Sequence, residues 1–467
     1  MTVEEEMLKS RVGELAEELE LPGVAVGIRF DGQEHFGFYG TTSVEHGLPV
    51  DADTLFQFGS TGKTFTATAI MRLVDRGDVD LDAPVRNYVP ELKLKDEDVA
   101  EKVTVLHLLN HTAGWSGDLI ENTGDGDDAL AKYVARMAEL DQESALGAVE
   151  SYNNASLALA GFIIEKVTNK TFERAMKELI FEPLGLNMFF FPTEIMTRRF
   201  AVGHHQEPDG TIKVSRPWAM PRSANPAGGI SSNSADLLAW ATFHLGDGRA
   251  ADGTQILSEE LLKKMQQPTA EMAGSAIGDA VGISWLLRNV DGVRLVSHGG
   301  DTLGQHSDFV MVPEREFAIS TLTNCGPNGN QFNESIVKWA LEAYLGMTVE
   351  DPEPLSLSRN ELRPYTGRFE TIAAIAEIKP GEGHLLLEVE IKPETLAQLQ
   401  ESGEEIPPNP PPYPLALLPG EGDRYVVLDG PAKGMKGYFV RNDDGELEAV
   451  HVGGRVATRT GAPVSVG

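Results

Sequence analysis

The residues with the clearest chemical potential in this chain are a serine and a lysine three positions apart, Ser60 and Lys63. The apolar run that follows, residues 64–74, predicts a buried helix. Residues three apart lie on one face of a helix, so the hydroxyl and the amine can meet. Burial removes solvation from a lysine ammonium and lowers its pKa, which lets the amine help to deprotonate a serine. The spacing therefore indicates a nucleophilic serine with a base beside it.

The same segment partly matches a phosphate-binding loop, and a count of residues decides between the two. A P-loop needs Gly-x-x-x-x-Gly-Lys-Ser/Thr, so that enough backbone wraps the phosphate. Counting back from Gly62, the first glycine belongs at position 57, where the chain has Gln57. Only two residues separate Gly59 from Gly62, which are too few to form the cradle. The segment therefore does not predict a nucleotide site.

Two further groups of polar residues follow along the chain in an order that suits a serine enzyme. Tyr152 and Asn154 stand just before an apolar helix predicted over residues 157–167. A phenol can shuttle a proton, and an amide can hold a polar partner in the same cavity. Later, the run His-Gly-Gly-Asp at 298–301 has glycines that let the backbone approach a ligand closely. Singly these features fit a core tyrosine, a capping asparagine and a hairpin turn, but their combination favours one site.

On these motifs the chain resembles the penicillin-recognising serine hydrolases, a group that holds class C β-lactamases, D,D-peptidases, esterases and D-aminopeptidases. The family pattern Ser-x-x-Lys, Tyr-x-Asn and Lys/His-x-Gly is matched in order by Ser60 and Lys63, Tyr152 and Asn154, and His298 and Gly300. Segments 105–115, 182–186 and 226–232 match as well, and the resemblance covers about residues 21–345. It implies that Ser60 is the nucleophile, that Lys63 and Tyr152 handle its proton, and that Asn154 supports them. It also implies that the backbone N–H groups of Ser60 and Asp301 hold the oxyanion.

The histidine of the third motif bears on the substrate. Antibiotic-binding relatives often carry a lysine there, whose fixed charge attracts a carboxylate, whereas D-aminopeptidases and several esterases share the histidine. We therefore expect an acyl-enzyme hydrolase of amide bonds in small peptides that contain D-residues, with short acyl esters as the alternative substrate. A β-lactamase and a catalytically silent binding protein are further alternatives. Because histidine ordinarily titrates near pH 6.5, the rate should fall below about pH 6 as His298 becomes charged.

Composition and charge disfavour several other classes of protein and partner. The chain has 467 residues and a formal net charge of −32, which repels nucleic acids and anionic membranes. No apolar run is long enough to span a bilayer, and residues 1–20 lack the basic start and apolar core of a signal peptide. The single cysteine, Cys325, cannot form an intramolecular disulfide. We expect a cytoplasmic enzyme for small molecules or short peptides, with homo-oligomerisation left open.

Neither a metal nor a cofactor is expected from the sequence. His107 and His111 are four apart, like paired metal ligands, but a zinc protease needs glutamate where the chain has Leu108. A structural pair on a helix is therefore favoured. His204 and His205 have no third ligand at a recognisable spacing. The chain also lacks Gly-x-Ser-x-Gly, which argues against an ordinary α/β-hydrolase.

The order of the predicted elements sets the fold class and the domains. Strands at both ends of the first 350 residues, with helices between them, predict an α+β fold, and the family resemblance implies that it is of the β-lactamase/transpeptidase type. In it, an antiparallel sheet is covered by helices and joined to an all-helical lobe. Residues 348–358 have the proline, serine and acidic content of a linker, and short alternating runs beyond them predict a small antiparallel barrel or sandwich. The barrel resembles a lipocalin-like appendage, so the predicted domains are 1–350 and 351–467.

The acidic segment 118–128 follows one of the family segments and precedes Tyr152. A solvated loop is the favoured interpretation. The alternative is that this segment overhangs the active-site cleft and favours cationic or amine-bearing substrates. Loops 116–130 and 204–226 are expected to form the selective pocket.

Overall fold

A helix-covered antiparallel sheet is followed by a closed barrel, which confirms the fold class predicted from the sequence. The structure is a computed structural model. It describes residues 3–117, 119, 121–207, 209–349, 353–393, 395–397, 411–420, 422–430, 432–442 and 444–460.

The secondary-structure elements of the described residues run as follows. The α-helices are α1 (Val3–Glu18), α2 (Gly62–Asp75), α3 (Glu97–Lys102), α4 (Val105–Leu109), α5 (Ala129–Arg136), α6 (Asn154–Thr168), α7 (Phe172–Met176), α8 (Glu182–Leu184), α9 (Pro192–Ile195), α10 (Asn225–Gly228), α11 (Ser234–Leu245), α12 (Glu259–Met265), α13 (Asn328–Leu345) and α14 (Arg359–Leu362). The strands before the barrel are β1 (Gly23–Phe30), β2 (Gln33–Gly40), β3 (Phe56–Gln57), β4 (His204–Gln206), β5 (Ile212–Val214), β6 (Ser231–Ser232), β7 (Ala270–Glu271), β8 (Ala280–Val281), β9 (Leu286–Val290), β10 (Val293–Thr302), β11 (Gln305–Val312), β12 (Phe317–Thr323) and β13 (Cys325–Gly326). The barrel strands are β14 (Gly367–Glu370), β15 (Ala374–Pro380), β16 (Leu385–Ile391), β17 (Tyr413–Leu417), β18 (Arg424–Val427), β19 (Lys436–Arg441), β20 (Leu447–Val452) and β21 (Arg455–Arg459).

The main sheet joins the two ends of the first domain. Its strand order is β2-β1-β12-β11-β10-β9-β8-β7, and β1 pairs with β12 in register Val24↔Thr323. On one face, α1 and α13 supply an apolar layer that includes Leu8 and Phe332, both fully buried. On the other face, the Leu238 side chain of α11 packs closely against β1. The sheet therefore brings β10, which carries the third motif, into the middle of the domain.

The helical lobe is built around α2 and α6, whose side chains are largely buried. Phe65 of α2 stacks on Trp240 of α11 with ring centroids 3.9 Å apart, which fixes α2 against the sheet side of the core. At Gly161 of α6, a Cβ atom would lie 2.3 Å from the ring of Pro226, so glycine is required for α6 to approach α10. Thr66 donates to the Pro226 carbonyl at 2.8 Å. These contacts hold the backbone of α10 beside the start of α2.

The barrel has its own core and also makes apolar contact with the first domain. Its eight strands close through pairing of β14 with β21, and its interior is filled by side chains such as Phe369, Leu387 and Tyr425. Tyr438 of the barrel joins a small cluster with Leu286 of the first domain. The barrel is therefore packed as a separate core that is also docked on the main sheet.

Neither a membrane-spanning helix nor a metal-ligand cluster is present among the described residues. No helix among them combines the length and the hydropathy needed to cross a bilayer. No three His, Cys, Asp or Glu side chains in that part of the chain are grouped as metal ligands would be.

Candidate active site

Ser60 lies in a 3₁₀ turn, Gly59–Thr61, that leads directly into α2. The Lys63 ammonium, at the first turn of α2, is fully buried. Its Nζ donates to Ser60 Oγ at 2.8 Å and to the Ala227 carbonyl at 2.7 Å. The contact predicted from the spacing is therefore present. The backbone of α10 supplies a second acceptor, which orients the amine toward the serine.

The backbone of β10 passes close to the Ser60 turn. A Cβ atom at Gly300 would lie 2.1 Å from the Phe58 carbonyl oxygen and 2.6 Å from the Ser60 nitrogen. A Cβ atom at Gly59, where φ is +53°, would lie 2.7 Å from the Asp301 nitrogen. Only glycine at these two positions allows the close approach. The backbone N–H groups of Ser60 and Asp301 are thereby brought to the same part of the site.

Hydroxyl groups on both sides hold the turn against the sheet. Thr61 Oγ1 donates to the His298 carbonyl at 3.0 Å, and Ser307 Oγ donates to the Phe58 carbonyl at 2.7 Å. All three of Thr61, Phe58 and His298 are buried, so these hydrogen bonds are shielded from water. The Ser60 turn is consequently fixed to β10 and β11 as well as to α2.

Tyr152 and Asn154 lie at the start of α6, as predicted. Asn153 caps this helix, because its side chain accepts the N–H of Ser156 at 2.8 Å. Tyr152 precedes the cap, and its ring centroid lies 4.8 Å from Lys63 Nζ. Asn154 is the first residue of α6. The structure thus brings the ring of Tyr152 beside the Lys63 side chain.

His298 is buried on β10, and its ring centroid lies 6.0 Å from that of Tyr152. Nδ1 is 2.6 Å from the Gly299 carbonyl oxygen. Because a carbonyl only accepts, Nδ1 carries the proton and Nε2 presents a lone pair. Nε2 has no hydrogen-bond partner among the described residues. Burial, assisted by the charge of Lys63, lowers the pKa of His298 to about 3. The expectation that His298 becomes charged near pH 6 is therefore wrong, because a buried imidazole excludes the proton.

The side chain of Asp301 points away from this cluster. Its carboxylate contacts the His306 ring and accepts a hydrogen bond from Asn330 of α13 at 3.0 Å. Only the backbone of Asp301 therefore lies beside the Ser60 turn, which is the part that the sequence analysis assigned to the site.

His111 was not predicted to belong to the site, yet it packs against Tyr152. Their ring centroids are 4.6 Å apart, and His111 Nδ1 accepts the backbone N–H of Asn153 at 3.1 Å. Burial and the charge of Lys63 hold the pKa of His111 well below its usual range. The expected helical pair with His107 is wrong, because α4 ends before position 111, where φ is +60°. His107 instead bonds the backbone N–H of Thr104 and caps α4.

The barrel contributes the remaining neighbours of Tyr152. The Tyr152 N–H donates to the Gly454 carbonyl at 2.8 Å, in the turn between β20 and β21. The guanidinium carbon of Arg455 lies 5.0 Å from the centroid of the Tyr152 ring. Nothing in the sequence pointed to these residues, because they are about 300 positions from Tyr152 and belong to another predicted domain.

A cavity of about 190 Å³ lies between the two domains beside this contact. Its walls include Ser116, Glu143, Ile372, Val389, Val452 and Arg455. The first domain supplies the serine and the carboxylate, whereas the barrel supplies the apolar side chains and the guanidinium. The cavity can therefore hold a small group that has apolar and polar parts.

The two loops expected to shape the pocket contact each other. Arg222 pairs with the buried Glu173 and with Asp127, each at 2.9 Å, and it donates to the Asp125 carbonyl at 2.8 Å. The carboxylates of Asp125 and Asp127 are exposed, as the solvated-loop interpretation requires. Positions 118 and 120 lie outside the described residues. Arg222 thus ties the acidic segment to loop 204–226.

Comparison with known proteins supports the resemblance found in the motifs. A family model described as Beta-lactamase matches residues 8–342. Penicillin-binding protein 4 of Amycolatopsis lactamdurans is 35% identical over 322 residues, which cover 68% of this chain and 84% of that protein. Esterase EstB of Burkholderia gladioli is 34% identical over 180 residues, which cover 36% of this chain and 45% of the esterase.

Two solved structures extend the similarity into the barrel. SurE, solved with D-Leu, aligns with a TM-score of 0.75 at 24% identity and covers 98% of this chain and 99% of its own. The octameric penicillin-binding protein homologue from Pyrococcus abyssi aligns with a TM-score of 0.65 at 25% identity, covering 95% and 97%. With a family model that spans most of the chain, the protein belongs to the beta-lactamase family of serine hydrolases.

Proposed function

We propose that this protein hydrolyses amide bonds in small peptides that contain D-amino acids, through an acyl-enzyme on Ser60. The observation that carries the proposal is the 2.8 Å hydrogen bond between Lys63 Nζ and Ser60 Oγ, with the ring centroid of Tyr152 4.8 Å from the same Nζ. A half-buried serine beside a lysine that also contacts a tyrosine can lose its proton as it attacks a carbonyl. The same side chains can return that proton to the leaving amine.

The first half of the reaction forms the acyl-enzyme. Ser60 Oγ attacks the carbonyl carbon of the substrate, and Lys63 in its uncharged amine form, or Tyr152 as its phenolate, takes the hydroxyl proton. The backbone N–H groups of Ser60 and Asp301 hold the resulting oxyanion, each contributing about 10²–10³ in rate. The proton then passes to the departing nitrogen, and the C–N bond breaks. In the second half, water attacks the acyl-enzyme and the same groups return the proton to Ser60.

The neutral charge of His298 supports substrates without an obligatory carboxylate at this position. Its pKa, lowered to about 3 by burial, keeps the imidazole uncharged at neutral pH. A neutral ring offers a lone pair at Nε2, whereas a lysine would offer a fixed charge. We therefore infer weak hydrolysis of β-lactam antibiotics. D-Residues are proposed on the resemblance of the third motif, and they accord with the D-Leu held by SurE.

Hydrolysis of short acyl esters is the alternative function. The match to esterase EstB, 34% identical over 180 residues, favours it. Acyl-enzyme chemistry is the same for both substrates. They differ in the leaving group, because an amine must be protonated before it departs and an alcohol is the easier leaving group.

A panel of substrates tests the proposal directly. The full-length protein and its Ser60→Ala variant are assayed with D- and L-aminoacyl p-nitroanilides, p-nitrophenyl esters and a chromogenic β-lactam. The expected result is the highest kcat/KM on a D-aminoacyl anilide, with no turnover by Ser60→Ala. High activity on esters alone would support the alternative. Turnover that survives in Ser60→Ala would reject the whole mechanism.

A homo-oligomer is also proposed, on the similarity to the octameric homologue from Pyrococcus abyssi. Light scattering on the purified full-length chain tests it. A mass of two or more times 50.6 kDa supports the proposal, and a mass of one chain at micromolar concentration contradicts it.

A further inference from the structure

Three successive residues before α6 each have a partner on one hairpin of the barrel, β20–β21. Glu150 Oε2 lies 3.1 Å from His451 Nε2, and Ser151 Oγ accepts the backbone N–H of Val456 at 3.2 Å. Tyr152 follows, with its N–H on the Gly454 carbonyl. This segment, residues 150–152, is therefore fixed across the end of the hairpin, with contacts to both strands and to the turn between them.

The pair between Glu150 and His451 is wholly enclosed. Both side chains are fully buried, and the ring of Tyr438 stacks on His451 with centroids 4.6 Å apart. Tyr425 donates to the His451 carbonyl at 2.9 Å, which fixes the backbone beneath the ring. A buried pair of this kind adds little net stability relative to apolar side chains, but it is directional. It permits one register between the two domains.

The opposite side of the segment is fixed within the first domain. The Ser151 N–H donates to the His111 carbonyl at 2.9 Å, and the ring of the same histidine packs on Tyr152. The segment is thus held between His111 and the hairpin. If the hairpin shifts, Tyr152 loses one of the two surfaces that set the position of its ring.

From these contacts we infer that Glu150 and His451 are positioning residues, through which the barrel holds Tyr152 against Lys63. The barrel is then a structural part of the reaction centre in addition to forming one wall of the neighbouring cavity. The inference rests on the proposed role of Tyr152. It requires that loss of the pair slows the attack of Ser60, even on a reagent too small to reach the cavity.

The experiment measures the second-order rate at which a small fluorophosphonate labels Ser60 in the full-length protein. Glu150→Ala removes the acceptor and should slow labelling about tenfold or more. Positioned proton transfer contributes about 10²–10⁴-fold to a rate, and a misplaced Tyr152 would lose part of that contribution. Glu150→Gln keeps an oxygen that accepts from the imidazole N–H, so it should restore the rate to within about threefold. Tyr365→Phe, which removes a bond inside the barrel to Asp423, is the matched control and should label normally.

Each Glu150 variant is also made in a Tyr152→Phe background. If Glu150 acts through Tyr152, Glu150→Ala should have almost no further effect once the phenol hydroxyl is gone. Thermal melting checks that every variant is folded at the assay temperature. If Glu150→Ala does not fold, Ser151→Ala takes its place, because it removes one hydrogen bond without exposing a buried charge. It should slow labelling by about threefold, again only when Tyr152 is present.

The possible results separate this inference from the proposed function. If Tyr152→Phe labels slowly and Glu150→Ala multiplies the loss in both backgrounds, the positioning role is rejected and the proposed function stands. A normal labelling rate in Glu150→Ala would likewise reject the positioning role and leave the proposed function standing. If Tyr152→Phe itself labels at the normal rate, the proposed role of Tyr152 and this inference both fail.

Discussion

The two sides of the candidate site are built in different ways. On the nucleophile side, Ser60 and Lys63 are three residues apart, and their supports come from β10, β11 and α10 of the same domain. On the tyrosine side, Tyr152 is held between His111 and a hairpin of the barrel. The comparison indicates that the proposed nucleophile is positioned by contacts within one domain. The proposed proton carrier, Tyr152, depends on how the barrel docks.

The largest effect is expected at the nucleophile itself. Ser60→Ala should lower kcat by roughly 10⁴-fold or more, because no other group can form the acyl-enzyme. A small side chain at this turn leaves the fold intact, so the melting temperature should be nearly unchanged. Mass spectrometry after fluorophosphonate treatment should show one adduct in the native protein and none in the variant. Full activity in the variant would contradict the nucleophile assignment.

Lys63→Arg should be almost as damaging as Lys63→Met, at roughly 10³-fold in kcat. Arginine keeps the positive charge but cannot release its proton at accessible pH. The measurement is kcat for both variants, with Arg72→Lys on the same helix as a control for a basic substitution away from Ser60. Near-normal turnover by Lys63→Arg would mean that Lys63 is only a cationic anchor. Tyr152 would then be the base, and removal of the Ser60 proton would depend on the tyrosine side of the site.

Removal of the barrel tests the contrast between the two sides most directly. The two large cores of the first domain contain no residue beyond position 349, so a chain that ends near residue 350 should fold. Because Tyr152 loses Gly454 and Arg455, kcat should fall about 100-fold or less, while Ser60 is still labelled slowly. Circular dichroism and labelling rates are the measurements. Normal turnover would show that the tyrosine side needs no barrel, whereas an insoluble product would show that the predicted domain boundary is wrong.

His298→Lys should change preference more than total activity. A fixed ammonium in the partly dry cleft attracts a free carboxylate, so kcat/KM on carboxylate-bearing substrates should rise about tenfold relative to neutral ones. His298→Gln is the matched control, because glutamine is polar but uncharged. Equal preference in all three proteins would indicate that position 298 does not face the substrate.

The smallest effect concerns pH and stability. The pKa of His298 is lowered to about 3 by burial, against about 6.5 in the unfolded chain. Between these values the unfolded state binds a proton that the folded state excludes, so falling pH destabilises the fold. In urea titrations from pH 7 to pH 4, His298→Gln should therefore lose less stability than the native protein does. Any fall in kcat between pH 7 and pH 5 should be the same in His298→Gln as in the native protein. Loss of that fall in the variant would contradict the lowered pKa of His298.

Most of the nucleophile side could be predicted from the sequence. Residues three apart on a helix share a face, and the apolar run after Lys63 buries that face, so Ser60 and Lys63 had to meet. The glycine at 300 was expected to let the backbone approach a ligand, and in the structure this glycine lies against the Ser60 nitrogen. Alternating runs at the end of the chain were enough to predict a small antiparallel barrel or sandwich, because side-chain alternation is a local property of strands. The choice of a barrel rested on the resemblance to a lipocalin-like appendage.

The tyrosine side was decided by tertiary structure. His111 was assigned to a helix by its spacing from His107, but the chain leaves α4 at Leu109 and turns His111 back toward Tyr152. From the sequence, His298 was expected to titrate like an ordinary histidine. Burial beside Lys63 instead lowers its pKa to about 3. Both outcomes depend on what packs around a side chain, which local sequence does not encode.

The sequence by itself determined the family, through the resemblance of its motifs, and an all-β unit at the end of the chain. It also determined the sheet-and-helix domain and the meeting of Ser60 with Lys63, because these rest on periodicity or on neighbours within one turn. Only the tertiary structure decided that Glu150 meets His451 and that Arg455 lies over the ring of Tyr152. Contacts between residues about 300 positions apart depend on how two separate cores dock. That docking comes from the summed complementarity of two surfaces, and no single motif carries it.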